Sequence, residues 1–274
     1  MLQTLLKFPC EPDNAVYEIF PLPGMTFNCK LLTIEKNEPS GKYLGFFREL
    51  ISMEHKNYQE KLRIFREEVT VYPVSCEPLS KGRSDIQWLE GVLAGGARIV
   101  QLRDKHSNDR IFYQKALIFR EKTIKAGALF IVNNRVDIAL LAGADGVHLG
   151  NEDLPSERVR EFAPELIIGV SCNKPEQAAT ATARGASYFN IGPLFDTETK
   201  KNLTSFLGPA AIKQFSSLCD LPFTVMGGVK LNHVQELVSR GAQRIAVVTA
   251  LTQADDIAAE TRCWIEEIRK AATE

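Results

Sequence analysis

The chain has 274 residues, of which 45% are hydrophobic and 24% are charged, and its formal net charge is −1. These values predict an ordinary soluble protein with room for one sizeable domain and a small appendage. The near-zero charge argues against nucleic acid or an anionic membrane as the main partner, because binding to a phosphate backbone needs a surplus of positive charge. A local basic cluster could still bind a small phosphorylated ligand.

The sequence shows no signal for targeting, zinc ligation or disulfide bonding. The six cysteines are scattered without a CxxC pair, so reduced thiols are expected. The segment MLQTLLKFPC lacks the charged start and the long apolar core of a signal peptide. No apolar run has the length that a bilayer span requires. We therefore expect a cytoplasmic protein without a membrane partner.

Residues 1–68 differ from the rest of the chain. Prolines interrupt the early part, which contains a possible strand at Cys29–Ile34. From Lys42 to Glu68 apolar residues recur at steps of three and four, the pattern of an amphipathic helix. Its apolar face has to be buried against the remainder of the chain, against another subunit, or within a small domain of its own. A structural role, or a role in a homo-oligomer, is expected for this extension.

From Val69 onward, short apolar strands alternate with helical segments. The predicted strands are Val69–Val74, Arg98–Leu102, Phe130–Val132, Gly146–Leu149, Leu166–Val170, Tyr188–Ile191, Phe223–Met226 and Arg244–Val248. This alternation over residues 69–274 predicts an α/β fold, a (β/α)8 TIM barrel with a small amino-terminal extension. A doubly wound open sheet is the alternative, but the G-x-G-x-x-G turn after its first strand is absent.

Cationic and hydroxyl side chains follow the carboxyl ends of these strands, where barrels of this class carry their active sites. Gln101, Arg103 and Lys105 alternate along the chain, so they point the same way. A second polar group follows the sixth strand and consists of Thr197, Thr199, Lys200 and Lys201. Together the two groups could hold a pyrophosphate, arginine by paired hydrogen bonds and lysine as a point charge.

Further candidates follow the other strands. The Gly227-Gly228 turn and the Val248-Thr249 end could offer backbone N–H groups to a second phosphate. Asp153 is a natural Mg²⁺ ligand, because this ion usually takes one or two carboxylates together with phosphate oxygens. Asn133 and Asn134 follow the third predicted strand, and Ser171 follows the fifth.

Each of these features also has a purely structural explanation. Gln101, Arg103 and Lys105 could form a solvated strand end, and Gly227-Gly228 could be a tight turn. His148 lies within a strand, and we expect it to be a hydrogen-bonded core histidine and not a catalytic base. The location of the charged groups on one rim favours a functional site.

The motifs also carry a family resemblance. In chain order they are Gln101–Lys105, Asn133–Asp137, Ala144–Gly150, Glu152–Asp153, Gly169–Ser171, Gly192–Phe195, Thr197–Lys201 and Gly227–Val229. In this order and spacing, over residues 69–271, the chain resembles the thiamine-phosphate synthase family. The resemblance implies a (β/α)8 barrel that joins hydroxymethylpyrimidine pyrophosphate to thiazole phosphate and releases pyrophosphate with the help of Mg²⁺.

The resemblance also implies roles for individual residues. It assigns the pyrophosphate to Gln101, Arg103, Lys105, Thr197, Thr199 and Lys200. It assigns Mg²⁺ to Asp153 with Asn134, the pyrimidine or pyrophosphate to Ser171, and the thiazole phosphate to Gly228, Val248 and Thr249. Asn133 would be a further substrate-binding residue. Arg103, Lys105, Ser171 and Lys200 would be the catalytic residues of a dissociative reaction, in which pyrophosphate leaves before the thiazole nitrogen attacks.

Two positions depart from the family pattern. Asn134 stands where the family usually has Asp, so the expected second Mg²⁺ ligand keeps its oxygen but loses its charge, and metal affinity should fall. Thr249 replaces the usual Ser and keeps the hydroxyl. Two alternatives follow: a weak or inactive paralogue that binds thiamine phosphate or its precursors, and a thiazole tautomerase. The tautomerase is disfavoured because Asn173 stands where that branch has a histidine.

Overall fold

The structure is a computed structural model that describes residues 7–10, 15–18, 56–197 and 205–274. The chain divides into two compact units, Met1–Met53 and Glu54–Glu274. In the first unit, β1 (Lys7–Cys10) and β2 (Ala15–Glu18) pair in antiparallel fashion. The predicted strand at Cys29–Ile34 lies outside the described residues, as do residues 42–55 of the predicted helix.

Eight parallel strands form the sheet of the second unit. They are β3 (Val71–Pro73), β4 (Ile99–Leu102), β5 (Leu129–Asn133), β6 (Gly146–Leu149), β7 (Ile167–Cys172), β8 (Tyr188–Ile191), β9 (Phe223–Val225) and β10 (Ile245–Val247). Their order in the sheet is β3-β10-β9-β8-β7-β6-β5-β4. A parallel bridge between Val74 and Gln101 joins the two ends of that order. The predicted (β/α)8 barrel is therefore confirmed.

One helix precedes the barrel strands, and others connect them. They are α1 (Tyr58–Glu67), α2 (Asp85–Ala94), α3 (Asp109–Lys125), α4 (Val136–Leu141), α5 (Ser156–Phe162), α6 (Pro175–Ala181), α7 (Ala211–Ser216), α8 (Val234–Ser239), α9 (Thr249–Thr252) and α10 (Ile257–Thr273). Helices α5 and α9, of 7 and 4 residues, are not among the helical segments that the sequence predicts. Among the described residues, no helix combines the length and hydrophobicity that a membrane span requires.

Side-chain caps fix where several of these helices begin. The Ser84 hydroxyl accepts a hydrogen bond from the Gln87 backbone N–H, and the Gln87 side chain accepts one from the Ser84 N–H, which is a capping box. Asn108 and Asp256 cap α3 and α10 with their side-chain oxygens. Each cap satisfies an N–H group that has no partner within the helix, so the strand-to-helix turns have defined ends.

Helix α1 closes the amino-terminal end of the barrel. Phe65 is fully buried, and its ring centroid lies 4.4 Å from that of Tyr188. Arg244, just before β10, donates from Nε to the Phe65 carbonyl oxygen at 2.7 Å. The Lys61 ammonium donates to the Glu165 carbonyl oxygen at 3.0 Å. The sequence left open whether this helix packs against the remainder of the chain, another subunit or a small domain of its own. In the structure, α1 packs against the barrel.

This packing moves the boundary between the two parts of the chain. The sequence analysis placed α1 in an extension of residues 1–68, before a barrel domain of residues 69–274. In the structure α1 belongs to the compact unit that begins at Glu54. An amphipathic period shows that a helix buries one face, but it does not show which surface covers that face.

A buried ion pair connects α3 to the turn between α4 and β6. The Asp145 carboxylate is fully buried, and its Oδ2 accepts from Arg120 Nη1 and from the Phe130 backbone N–H, both at 2.9 Å. Removing one partner from such a pair leaves a buried charge uncompensated. We therefore expect the pair to contribute strongly to stability.

The substitution Arg120→Leu tests this expectation. It should lower the free energy of unfolding by about 3–5 kcal/mol, because Asp145 would keep its charge without its cationic partner. Urea denaturation followed by circular dichroism measures the change. The matched control is Lys122→Leu on the same helix, which breaks the exposed ion pair with Glu90 and should cost less than about 1 kcal/mol. Equal losses in the two variants would contradict the assignment.

Candidate functional site

A cavity of about 180 Å³ opens at the carboxyl ends of the barrel strands. The predicted site residues that line it are Gln101, Arg103, Lys105, Asn133, Asn134, Ser171, Thr197, Gly228, Val248 and Thr249. They come from the ends of most of the strands, so the structure brings distant parts of the chain to one place. Thr199 and Lys200 lie outside the described residues, and their roles stay predictions.

The polar side chains after β4 reach different depths of this cavity. Gln101 is buried at the floor, Arg103 is half-buried, and Lys105 is exposed at the rim. The buried Ser75 hydroxyl accepts a hydrogen bond from the Arg103 backbone N–H at 3.0 Å. The Arg103 guanidinium lies 3.8 Å from the Cys76 sulfur. These contacts direct one cation from this segment into the cavity while a second remains at its mouth.

Asn134 occupies a tight turn at the end of β5. Its φ angle is 65°, in the left-handed region that Asn tolerates better than most residues. The Arg135 N–H donates to the Asn133 carbonyl oxygen at 2.8 Å, and the Asn134 N–H donates to the His148 carbonyl oxygen at 2.9 Å. A hydrogen bond across a single residue at positive φ is the pattern of a γ-turn, which is strained. This backbone requirement is one physical reason for an Asn at this position.

Asp153 is the described candidate that does not line the main cavity. It lies in the turn after β6, where its Oδ2 accepts from the Gly150 N–H at 2.5 Å. It lines an adjoining cavity of about 170 Å³, and Gly150 and Ser171 border both cavities. The carboxylate is therefore held back on its own loop, beside the site and not within it.

Asp153 and Asn134 form a sparse set of oxygen donors for a metal ion. No group of three or more His, Cys, Asp or Glu side chains within the described ranges could hold a metal ion. Mg²⁺ needs no such cage, because it commonly binds through one or two carboxylates, water and the phosphate oxygens of a substrate. The donor types of the two residues, one amide oxygen and one carboxylate, are those that Mg²⁺ takes when it binds together with a phosphorylated ligand, although Asn134 and Asp153 line different cavities.

The floor of the cavity contains polar residues that sequence reasoning did not single out as site residues. These are Tyr72, Asn190 and Thr224, with His148, for which a core position was expected. Thr224 Oγ1 donates to Asn190 Oδ1 at 2.8 Å, and both side chains are buried. Each residue interrupts an otherwise apolar strand, and that interruption is the signal available in the sequence. His148 has hydrogen bonds at both ring nitrogens, as expected of a satisfied core histidine.

The Gly227-Gly228 turn after β9 lies against the loop that follows β8. Both glycines have positive φ angles, 101° and 63°. A Cβ atom at Gly228 would overlap the Asp196 carbonyl, and one at Gly227 would overlap Pro193. The close approach of the two backbones requires glycine here, so the second predicted phosphate position and the loop that carries Thr197 are packed together.

A four-residue ion cluster fixes the loops after β3 and β4. The Lys115 ammonium donates to the carboxylates of Glu77 at 2.8 Å, Asp85 at 2.9 Å and Asp104 at 2.7 Å. Burial raises the pKa of Asp85 to about 6, although Lys115 opposes this shift. For Asp104, the hydrogen bonds from Lys115 and Ser107 outweigh burial and lower the pKa. Because Asp104 stands between Arg103 and Lys105, the cluster anchors the segment that carries both cations.

Comparison with known proteins identifies the family. Residues 71–251 match the thiamine monophosphate synthase family. The chain belongs to this family. It is 41% identical to a thiamine-phosphate synthase of Pelotomaculum thermopropionicum over 71% of this chain and 90% of that protein. It is 37% identical to one of Caldicellulosiruptor saccharolyticus over 73% of this chain and 90% of that one.

A solved structure supports the same assignment. The thiamine phosphate pyrophosphorylase of Pyrococcus furiosus superposes with a TM-score of 0.70 at 30% identity, covering 76% of this chain and 98% of that one. Members of this family are transferases. The family match lies within the barrel unit, which also contains the cavity described above.

The ion cluster predicts a specific pH dependence. Between about pH 4 and pH 6 Asp85 is protonated in the folded protein but ionised in the unfolded chain, so it adds stability as pH falls through this window. Relative to Asp85→Asn, the wild type should gain about 2 kcal/mol between pH 7 and pH 4.5. Urea denaturation of both proteins across this range measures the difference, in which groups remote from the ion cluster cancel. A constant difference would contradict the raised pKa.

Proposed function

We propose that this chain couples hydroxymethylpyrimidine pyrophosphate with thiazole phosphate, giving thiamine phosphate and pyrophosphate. The observation that carries the proposal is the convergence of Arg103 and Lys105 with the Gly228 turn on one cavity, so that two cationic side chains and a glycine turn line the same space. Family membership supports the same reaction. The chain's own geometry supports the proposal because cationic side chains and a glycine turn line one cavity, which suits a substrate pair with two phosphorylated groups.

The pyrophosphate of the first substrate would lie at the β4 side of the cavity. Arg103 would bind it by paired hydrogen bonds and Lys105 by its charge. Gln101 and Ser171 would add hydrogen bonds from the floor and from β7. Thr197, Thr199 and Lys200 complete the proposed set from the loop after β8. All of these groups are donors or cations, which suits a ligand whose exposed atoms are anionic oxygens.

The reaction we propose is dissociative. The C–O bond between the pyrimidine methylene and pyrophosphate breaks, and pyrophosphate leaves with the electron pair. The electron-rich aminopyrimidine stabilises the cation, and the thiazole nitrogen then donates its lone pair to form the C–N bond. No proton has to be removed from either reactant, so the protein needs no general base. Its contributions are stabilisation of the leaving-group charge and placement of the partner.

Asp153 and Asn134 would hold Mg²⁺ at the edge of this site. When bound, Mg²⁺ supplies positive charge to the pyrophosphate oxygens. Asn134 follows β5 and Asp153 follows β6, which are neighbouring strands of the barrel, and this supports the assignment. The thiazole phosphate would bind at Gly228, Val248 and Thr249, on the side of the cavity formed by β9 and β10.

Asn134 favours one alternative, a paralogue that binds the same ligands with little or no turnover, because an amide holds Mg²⁺ less strongly than a carboxylate. Tautomerase activity is not favoured. The Asn173 Nδ2 donates to the Gly192 carbonyl oxygen, and its Oδ1 accepts from Asn151 at 2.6 Å. This side chain therefore holds neighbouring loops together and offers no acid or base. The cytoplasmic location and the homo-oligomer stay predictions.

The test is pyrophosphate release from the purified full chain, measured with both substrates and Mg²⁺ and with each component omitted in turn. Release that requires all three supports the synthase. Binding of either substrate without release would support the binding paralogue and contradict the proposed activity.

Arg103→Gln tests the proposed leaving-group site. Loss of the bidentate cation should lower kcat/KM by about 10²–10³, because a preorganised donor on developing negative charge is worth that much. The matched control is Arg110→Gln at the exposed start of α3, for which no change is expected. If Arg103→Gln retains the wild-type rate of pyrophosphate release, the pyrophosphate lies elsewhere.

Asn134→Asp tests the proposed metal position. Asp also tolerates the positive φ of this turn, so the substitution adds a charge with little change in backbone. The Mg²⁺ concentration that gives half-maximal release should fall several-fold. Asn232→Asp, exposed beyond the Gly228 turn, adds the same charge away from the predicted metal and should leave this midpoint unchanged. An equal midpoint in all three proteins would mean that residue 134 does not contact the metal.

A further inference from the structure

A continuous chain of hydrogen bonds crosses the floor of the barrel beneath the cavity. It connects, in order, Asn133, Gln101, Tyr72, Tyr188, His148 and Ser171, one residue from each of six strands. The successive donor–acceptor distances are 3.0, 2.9, 2.9, 3.1 and 3.1 Å. Its two ends, Asn133 and Ser171, both line the cavity, whereas Tyr188 in the middle does not.

The first two bonds give this chain a direction. Asn133 Nδ2 donates to Gln101 Oε1, and Gln101 Nε2 donates to the Tyr72 hydroxyl. The Tyr72 oxygen therefore accepts, and its own hydrogen is directed to Tyr188, 2.9 Å away. The opposite arrangement would leave the Tyr72 hydrogen buried without an acceptor, which costs free energy. Tyr188, having accepted from Tyr72, then donates to His148.

The direction determines the state of His148. The Tyr188 hydroxyl donates to Nδ1, so Nδ1 carries no hydrogen and the neutral ring is protonated at Nε2. Nε2–H then donates to the Ser171 hydroxyl oxygen at 3.1 Å. Ser171 has thus accepted a hydrogen bond from below, and its own hydrogen is left to donate into the cavity.

Burial keeps the two phenols in this arrangement. Tyr72 and Tyr188 are 1% and 0% exposed, and Phe65 of α1 packs against the Tyr188 ring. Removal from water raises the pKa of both phenols above its ordinary value, so both stay protonated at neutral pH. Because water is not available as an alternative partner, each of the two phenol hydroxyls must donate its hydrogen to the next residue of the hydrogen-bond chain.

We propose that this hydrogen-bond chain makes Ser171 an obligatory donor toward the bound pyrophosphate, with Tyr188 and His148 as positioning residues. The inference rests on the proposed function for the identity of the ligand. Pyrophosphate oxygens only accept hydrogen bonds. A serine beside a histidine with an unprotonated Nε2 would donate to that nitrogen and turn its lone pairs toward the anion. Tyr188 prevents this by occupying Nδ1 as a donor.

The state of His148 can be measured without turnover. In protein labelled with ¹⁵N-histidine, NMR distinguishes the Nε2–H tautomer from the Nδ1–H tautomer. The chain has four histidines, and a His148→Gln spectrum identifies the signal of interest. The wild type should show Nε2–H. In Tyr188→Phe, which keeps the ring and loses the hydroxyl, the population should shift toward Nδ1–H.

Tyr58→Phe is the matched control for this measurement. Its hydroxyl lies 3.1 Å from Ser187 Oγ, beside α1 and away from the cavity, so its loss should leave the His148 signal unchanged. An Nδ1–H tautomer in the wild type would overturn the proposed direction, even if Tyr188→Phe failed to fold. An unchanged tautomer in folded Tyr188→Phe would overturn the role of Tyr188.

A double-mutant cycle tests the consequence for the ligand. Tyr188→Phe should weaken binding of inorganic pyrophosphate with Mg²⁺, measured by calorimetry, about three- to tenfold, the value of one net hydrogen bond. In a Ser171→Ala background, Tyr188→Phe should not weaken pyrophosphate binding further, because the hydrogen-bond chain acts through Ser171. If Tyr188→Phe weakens pyrophosphate binding equally in the wild-type and Ser171→Ala backgrounds, Tyr188 has only a structural role.

The outcomes separate this inference from the proposed function. If the wild type turns over and the effects of Tyr188→Phe and Ser171→Ala on pyrophosphate binding are additive, the synthase activity is supported and the proposed role of the hydrogen-bond chain is overturned. If pyrophosphate binds and the double-mutant cycle gives the expected result but no turnover occurs, the role of the hydrogen-bond chain is supported and the synthase activity is contradicted. A wild type that binds no pyrophosphate would overturn both.

Discussion

Parallel pairing of neighbouring strands brings every carboxyl end in the barrel to the same rim, and the rest of the site depends on this alignment. Gln101, Asn133 and Ser171 are separated along the sequence, yet they border one cavity because β4, β5 and β7 run in the same direction. The rim collects cations and N–H donors, and the amino-terminal end receives the apolar face of α1. The carboxyl-terminal end of the barrel therefore carries a polar cavity, whereas the amino-terminal end is covered by apolar side chains of α1.

The charged groups of the rim need support, because unpaired cations in a cleft repel one another. Arg103 is fixed through Ser75 and Cys76, and the segment beyond it is anchored by Lys115 through Asp104. The cavity floor solves a different problem. Polar side chains inside a barrel have little access to water, so each has to find a partner in another strand, and the resulting network reaches Asn133 and Ser171, which line the cavity.

The sequence is sufficient for the features that depend on local periodicity. Alternating strands and helices predicted the barrel. The two-residue spacing from Gln101 to Lys105 predicted that the three side chains point toward one site, and all three line the cavity although β4 ends at Leu102. Features set by distant contacts were not accessible. Tyr72 and Tyr188 read as ordinary core aromatics, because their hydroxyl partners lie on other strands. Asp153 was predicted as a metal ligand, and the sequence pattern did not indicate the hydrogen bond that it accepts from the Gly150 N–H within its own loop.

The central claim is that the site stabilises a departing pyrophosphate before the thiazole attacks. Positional isotope exchange tests this most directly, with ¹⁸O in the oxygen that bridges the pyrimidine methylene and the pyrophosphate. If the C–O bond breaks first and can re-form, the label moves into non-bridging positions of recovered substrate, and we expect this exchange in wild-type protein with Mg²⁺ and an unreactive thiazole phosphate analogue. Steady product formation with the true thiazole, but label confined to the bridge under both conditions, would contradict the account.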